Sequence, residues 1–130
     1  MNPFIEQHFA QVELCLLRSP MIGSYHILRR EVAPGDGKLR LKADLIEGGI
    51  IELFEYVTES GGRLCLSKYS FHWQDASGKL KRRWDNAPHH PELPGTPHHV
   101  HHADNSVVGL RAAPDIFSVI DGIEEDLRGV

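Results

Sequence analysis

Apolar residues recur at helical spacing near both ends of the chain. The first stripe lies within residues 4–18, and the second follows Pro114. The two stripes consist of Ile5, Phe9, Val12 and Leu16, and of Ile116, Val119, Ile120, Ile123 and Leu127. This spacing predicts one amphipathic helix near each end. Asn2 can cap the first helix. Ser19 precedes a proline and should end it, because that position disfavours helical backbone.

Between the two helices the pattern changes to alternation. In residues 39–45 the odd positions are apolar and the even positions are charged. Strands are predicted over residues 25–32, 39–45, 50–58, 63–74 and 79–84, with 98–102 and 107–110 as further extended segments. The connections are short and rich in glycine, which favours antiparallel hairpins. The sequence therefore predicts one α+β domain over residues 1–130, an antiparallel β-meander of about five to six strands covered on one face by the N-terminal and C-terminal helices.

Composition places the chain among ordinary water-soluble proteins. Of its 130 residues, 41% are hydrophobic and 25% are charged, as in most globular domains. No apolar run approaches the roughly 20 residues that a membrane-spanning helix needs. The N-terminus lacks the basic and apolar pattern of a signal peptide, so a cytoplasmic location without membrane association is expected. Cys15 and Cys65 are far apart among apolar neighbours, and we predict two buried free thiols.

Charge is distributed unevenly along the chain. The net charge of −4 argues against a general nucleic-acid binder. Residues 61–84 are nevertheless basic, with six cations against Asp75. Within this part, Lys68, Ser70 and His72 should share one strand face, where they could hold a phosphate and move a proton. A solvent-exposed face without function is the alternative.

The same basic part ends in two adjacent arginines. Arg82 and Arg83 precede Trp84, a combination that suits nucleic acid because arginine pairs with phosphate and an indole can stack on a base. The alternative is that Trp84 belongs to the core and the bases protect an edge strand. Asp85 could orient a histidine, although the pair Asp85-Asn86 also suits a turn.

Histidine is concentrated between residues 85 and 102. Six of the nine histidines lie there, together with four prolines at every third position. His99 and His101 are two residues apart and would share a strand face, so both could bind one metal ion with His89. His90 lies beside His89 and could complete such a site. His98 and His102 would lie on the opposite face with Val100. No established metal-binding spacing is present. The other interpretation is acid–base catalysis on RNA without a metal, in which histidines transfer the protons.

Three parts of this region resemble the TumE family. They are the run from Lys68 to Asp75, the run Arg83-Trp84-Asp85-Asn86-Ala87-Pro88-His89-His90-Pro91-Glu92, and the run Pro97-His98-His99-Val100-His101. The family consists of small bacterial and archaeal toxins of toxin–antitoxin pairs, usually encoded beside a helix-turn-helix antitoxin. Val100 departs from the pattern, because a basic residue is frequent there, and His102 is additional.

The resemblance implies growth inhibition and an antitoxin partner, and a nuclease acting on RNA is the common expectation for such toxins. Joined to the residues, it suggests a metal-independent endoribonuclease without a cofactor. The expected catalytic residues are His89, His90, His99, His101 and Asp85. The expected substrate-binding residues are Lys68, Tyr69, Ser70, His72, Arg82, Arg83, Trp84 and Asn86. A metal-binding hydrolase, a non-enzymatic growth-inhibiting binding protein and a homodimer remain open.

Overall fold

Two helices and seven strands make up the described part of the chain. The computed structural model describes residues 2–87 and 97–129. The elements are α1 (Pro3–Arg18), β1 (Ile22–Val32), β2 (Asp36–Leu45), β3 (Ile50–Ser60), β4 (Arg63–Gln74), β5 (Leu80–Asp85), β6 (His99–His102), β7 (Val107–Gly109) and α2 (Ile116–Leu127). Neither helix of this described part combines the length and apolar character that crossing a bilayer requires.

The strands form one antiparallel sheet in chain order, from β1 to β7. The predicted α+β meander with two helices is confirmed. The expected count of five to six strands was too low, because β7 adds a short seventh strand after β6. Neighbouring strands in sequence are neighbours in space, and each strand connection except that from β5 to β6, residues 86–98, has at most five residues.

Helix α1 begins as the sequence predicts. The side chain of Asn2 accepts hydrogen bonds from the backbone N–H groups of Phe4 and Ile5, and the helix is capped at its other end by Ser19. Helix α2 begins at Ile116 rather than at Pro114, because the side chain of Asp115 accepts from the backbone N–H of Ser118 and acts as the N-cap.

The core lies between the helices and one face of the sheet. The buried residues of β2, β3 and β4 alternate with partly exposed ones, as a strand period of two requires. The largest fully buried side chains of the sheet belong to Trp73, Tyr69 and Phe71. Both helices bury their stripes against this face, except that Leu127 of α2 remains 37% exposed. The opposite face, which we call the outer face, carries most polar side chains of the sheet.

A β-bulge in β4 changes which residues reach the core. Lys68 pairs with Tyr56, but the next pair is Leu66 with Val57, so Ser67 is an extra residue. Leu66 therefore packs against the core, and Cys65 is exposed. The prediction of two buried thiols was wrong for Cys65, because simple alternation had placed it on the core face. Both cysteines are free.

Candidate functional site

Residues of four strands, all but one of them polar, align in two rows across the outer face. In the first row, Glu52, His72, Arg83 and His101 are successive partners from β3 to β6. In the second row, Phe54, Ser70, Asp85 and His99 are successive partners. Directly opposite residues of an antiparallel pair point to the same side of the sheet, so each row places its side chains next to one another. The connection of β6 to β5 thus brings the predicted histidines beside the predicted basic strand.

Asp85 is the centre of this arrangement. Asp85 is only 3% exposed, although its side chain lies on the outer face. One carboxylate oxygen, Oδ1, lies 2.8 Å from Nε2 of His99. The other, Oδ2, accepts from Nε of Arg83 at 2.9 Å and lies 3.8 Å from Nε2 of His101. The backbone N–H of Ala87 also donates to Oδ1. A buried carboxylate needs such partners, because a charge buried without them is costly.

His99 and His101 differ in how far solvent reaches them. The side chain of His99 is 2% exposed, and that of His101 is 27% exposed. The two rings meet edge to face, with 4.8 Å between their centroids. Asp85 and His99 are therefore suited to positioning, whereas His101 is the member of this cluster that a substrate can reach.

Both ring nitrogens of His99 face acceptors. Nδ1 lies 2.8 Å from the carbonyl oxygen of Pro97, which can only accept, so Nδ1 carries a proton. Nε2 lies 2.8 Å from Oδ1 of Asp85. Ligand atoms of Asp85, His99 and His101 all lie within 4.8 Å of one another and could hold a metal ion. A backbone acceptor for the other ring nitrogen is typical of metal-binding histidines.

His72 lies on the other side of Arg83. It lines a pocket of about 220 Å³ on the outer face, together with Arg40, Glu52 and Arg83. Burial, and next the Arg83 guanidinium, lower the pKa of His72 below its ordinary value, while Glu52 and a hydrogen bond with Gln74 act in the opposite direction. The ring is consequently neutral at neutral pH and able to accept a proton.

A basic groove continues from this pocket. It has a volume of about 310 Å³, and its cationic lining residues are Arg29, Lys38, Arg40, Lys68 and Arg83. Asp85 is the one carboxylate among the described lining residues. Such a balance favours an anionic ligand, although the chain as a whole is negative. Sequence reasoning missed Arg29, Lys38 and Arg40 as site residues. Only Arg40 lies within the alternating residues 39–45, and the position of Arg29 depends on a register shift between Ile27 and Arg29 in β1.

Asn86 lines the groove and also holds its strand in place. Its Oδ1 accepts from the backbone N–H of Tyr69, and its Nδ2 donates to the carbonyl oxygen of Ser67. These bonds join β5 to the bulged part of β4, where the regular ladder is interrupted. The pair Asp85-Asn86 therefore needs no turn to explain it. The side chain of Asp85 contacts His99, and the side chain of Asn86 holds the end of β5 against β4.

Three predicted substrate-binding residues lie on the helix side of the sheet. Trp84 is 9% exposed and belongs to the core. Arg82 forms an ion pair with Asp126 of α2, and its guanidinium lies 5.1 Å from the ring centroid of Trp73. Tyr69 is 1% exposed, and its hydroxyl lies 3.0 Å from Nδ1 of His98. Their side chains point away from those of Lys68 and Arg83, because successive residues of β4 and β5 face opposite sides of the sheet.

His98 is placed on the helix side as well, as the alternation of β6 predicts. His89 and His90, which the sequence suggests as catalytic residues, lie outside the described residues.

A family model matches nearly the whole chain. Residues 12–129 match the family described as Toxin TumE. The chain belongs to the TumE family of toxins. The resemblance drawn from the histidine and tryptophan motifs is thereby confirmed, and membership in a toxin family implies an antitoxin partner. No curated protein and no solved structure matches the chain.

Proposed function

We propose that this TumE-family toxin arrests growth by cleaving RNA through histidine acid–base catalysis. One observation carries the proposal: on the outer face, Arg83 lies between His72 and His101 in the register of three adjacent strands. Two strand spacings of about 4.8 Å separate the two histidines by roughly 10 Å at the backbone. A phosphate bound by the arginine would have one imidazole on each side.

The chemistry requires two proton transfers. Neutral His72 takes the proton of the RNA 2′-hydroxyl, and the 2′-oxygen forms a bond to phosphorus. The bond from phosphorus to the 5′-oxygen breaks, and protonated His101 gives its proton to that oxygen. The products are a 2′,3′-cyclic phosphate and a 5′-hydroxyl. Arg83 stabilises the charge that develops on the phosphate, which is a contribution that a fixed cation makes well.

Asp85 and His99 act as positioning residues in this proposal. Asp85 holds the guanidinium of Arg83 and lies near the ring of His101, and His99 is anchored between Asp85 and the backbone at Pro97. Lys68 and Arg40 add positive charge to the groove beside them. We further propose a helix-turn-helix antitoxin as the partner and the cytoplasm as the place of action.

The test is RNA cleavage by purified protein, made by cell-free synthesis so that growth inhibition does not select against it. His101→Gln and His72→Gln should each lower the cleavage rate by about 10²- to 10⁴-fold, the usual contribution of a positioned acid or base. His26→Gln is the matched control, because that side chain is 66% exposed on β1. Cleavage by both His101→Gln and His72→Gln at the parent rate would contradict the proposal.

The pH profile gives a second readout. The base must be neutral, so kcat/KM should fall as pH drops through the pKa of His72. Because that pKa is lowered, the fall should lie below the ordinary value of about 6.5. His72→Gln should remove this acidic limb. An unchanged limb in that variant would assign the base to another group.

A metal-dependent hydrolase is the second candidate, favoured by the mutual distances of Asp85, His99 and His101. A divalent cation held there would supply an activated water. Arg83, 2.9 Å from the Asp85 carboxylate, opposes a second cation at the same oxygen. Elemental analysis of untagged protein from metal-replete synthesis separates the two. Near-stoichiometric metal, together with loss of activity in chelator, would support this candidate, and chelator-resistant cleavage with cyclic phosphate ends would remove it.

A further inference from the structure

Cations and aromatic rings lie next to one another on the outer face of β2 and β3. The guanidinium of Arg40 is 4.6 Å from the ring centroid of Phe54, and the ammonium of Lys38 is 5.5 Å from that of Tyr56. All four residues are partly exposed. Residues two apart on a strand share a face, so the two cations and the two rings form a compact patch.

This patch leads directly to the site. The register row that contains Asp85 continues through Ser70 and Phe54 to Arg40, and then to Arg29 of β1. Three strand spacings separate Arg40 from Asp85, which corresponds to roughly 14 Å. Lys38, Arg40, Phe54 and Arg83 also line one continuous groove. A ligand bound along it would extend across the strands from β2 to the proposed reaction centre.

The charge pattern indicates the class of ligand. Five cationic residues and one carboxylate line the groove, and Glu31 and Glu52 lie 2.9 and 3.5 Å from Arg29 and Arg40. The cations still outnumber these carboxylates, and their spread along the groove suits a chain of phosphates better than a single small anion. Side-chain rings beside the cations suit exposed bases, because every base can stack on an aromatic face. A duplex hides the faces of its bases, so it offers these rings no base to stack on.

We propose that Lys38, Arg40 and Phe54 form a binding track for single-stranded RNA, which guides the strand to Asp85 and its histidines. The track rests on the proposed function, since it names how the substrate of that same site is held. Lys38 and Arg40 bind phosphates, and Phe54 stacks on a base. The track explains why the positive charge extends over β1 and β2, far beyond what one scissile phosphate needs.

Binding is measured separately from cleavage. The parent for this experiment carries His101→Gln, so that the RNA stays intact, and the probe is a fluorescent single-stranded RNA of about ten nucleotides, within the site sizes of comparable grooves. The double variant Lys38→Ala/Arg40→Ala should weaken binding at least tenfold at low salt. The slope of log K against log salt should become shallower by about 1.4, which corresponds to two phosphate contacts on a single strand. Phe54→Leu should weaken binding about fivefold or more without changing that slope.

The control removes the same amount of charge elsewhere. Arg18 ends α1 and Arg63 begins β4, and both are exposed and do not line the groove. Arg18→Ala/Arg63→Ala should leave RNA binding unchanged. An equal loss in this control, or no loss in the track variant, overturns the track, as does binding of an acidic polypeptide in place of RNA.

Two outcomes distinguish the track from the proposed function. A protein that cleaves RNA while the track variant binds RNA as tightly as its parent contradicts the track alone. A protein that cleaves no RNA, but whose track variant loses RNA binding, supports the track and contradicts the proposed nuclease.

Discussion

Replacing Asp85 by asparagine should reduce stability and activity together. The substitution keeps the shape of the side chain but removes the buried negative charge that lies against Arg83, His99 and His101. It also turns one acceptor oxygen into a donor, which would face groups that donate. Removing one partner of a buried ion pair costs about 3–5 kcal/mol. We expect the lower end, about 3 kcal/mol, because the Arg83 side chain is 45% exposed and can turn to water.

The expected loss can be measured as a melting temperature. For a chain of 130 residues, an unfolding entropy of about 2.1 cal/mol/K per residue converts 3 kcal/mol into a decrease of about 10 °C. Asp44→Asn is the matched control. Its carboxylate is 44% exposed and lies 3.6 Å from His26, so the loss should be below about 0.5 kcal/mol. Thermal and urea unfolding of both variants give the comparison.

Activity adds an independent readout. Well below its melting temperature, folded Asp85→Asn should cleave RNA about 10²-fold more slowly, because a displaced proton donor and a displaced guanidinium no longer meet the phosphate together. If Asp85→Asn melts within about 2 °C of Asp44→Asn, the carboxylate does not organise the cluster. If it melts lower but cleaves normally, the cluster is structural and the catalytic reasoning is wrong.

Two further predictions concern the helix side of the sheet. His8→Ala should cost about 3 kcal/mol in urea unfolding, because Glu55, 2.8 Å away and 2% exposed, is left buried without its partner. His26→Ala, at an exposed pair, should cost less than about 0.5 kcal/mol, and equal losses would contradict the argument. Gly37→Ala should cost about 1–3 kcal/mol, because a Cβ there would lie 2.6 Å from a side-chain methyl of α1. Gly35→Ala, with no atom within 4 Å of its Cβ, is the control, and it should melt within about 2 °C of the parent.

Most of the fold could be predicted because its signals are local. The stripe of α1, its Asn2 cap and the alternation of β2 each depend on residues close in sequence. The bulge at Ser67 could not be predicted, because an extra residue in one strand is defined only against its partner. The error at Cys65 follows directly from that bulge. The seventh strand was missed as a firm element because three residues carry little periodic signal.

The candidate site was predicted in part. His99 and His101 were expected on one face, and Asp85 was expected to orient a histidine, and the structure places all three together. Arg82 and Arg83 were treated alike, since both are basic and adjacent. The strand register decides their faces. Arg82 is the partner of Trp73 and shares its core face, whereas Arg83 is the partner of His72 and lies on the outer face. Arg40 and Lys38 lie on β2, and two strands, β3 and β4, separate β2 from Asp85 on β5.

The residues that stabilise the sheet also determine the geometry of the site. Trp84 and Val100 are directly opposite each other in the core face of β5 and β6. Because strand residues alternate, burying these two side chains obliges Asp85, His99 and His101 to point to the outer face. A shift of one residue in either strand would expose Trp84 or Val100 and would turn the cluster into the core. The hydrophobic energy of the core therefore fixes the register on which the proposed chemistry depends, so inserting a residue within β5, between Arg83 and Trp84, should lower both the stability of the core and the rate of RNA cleavage.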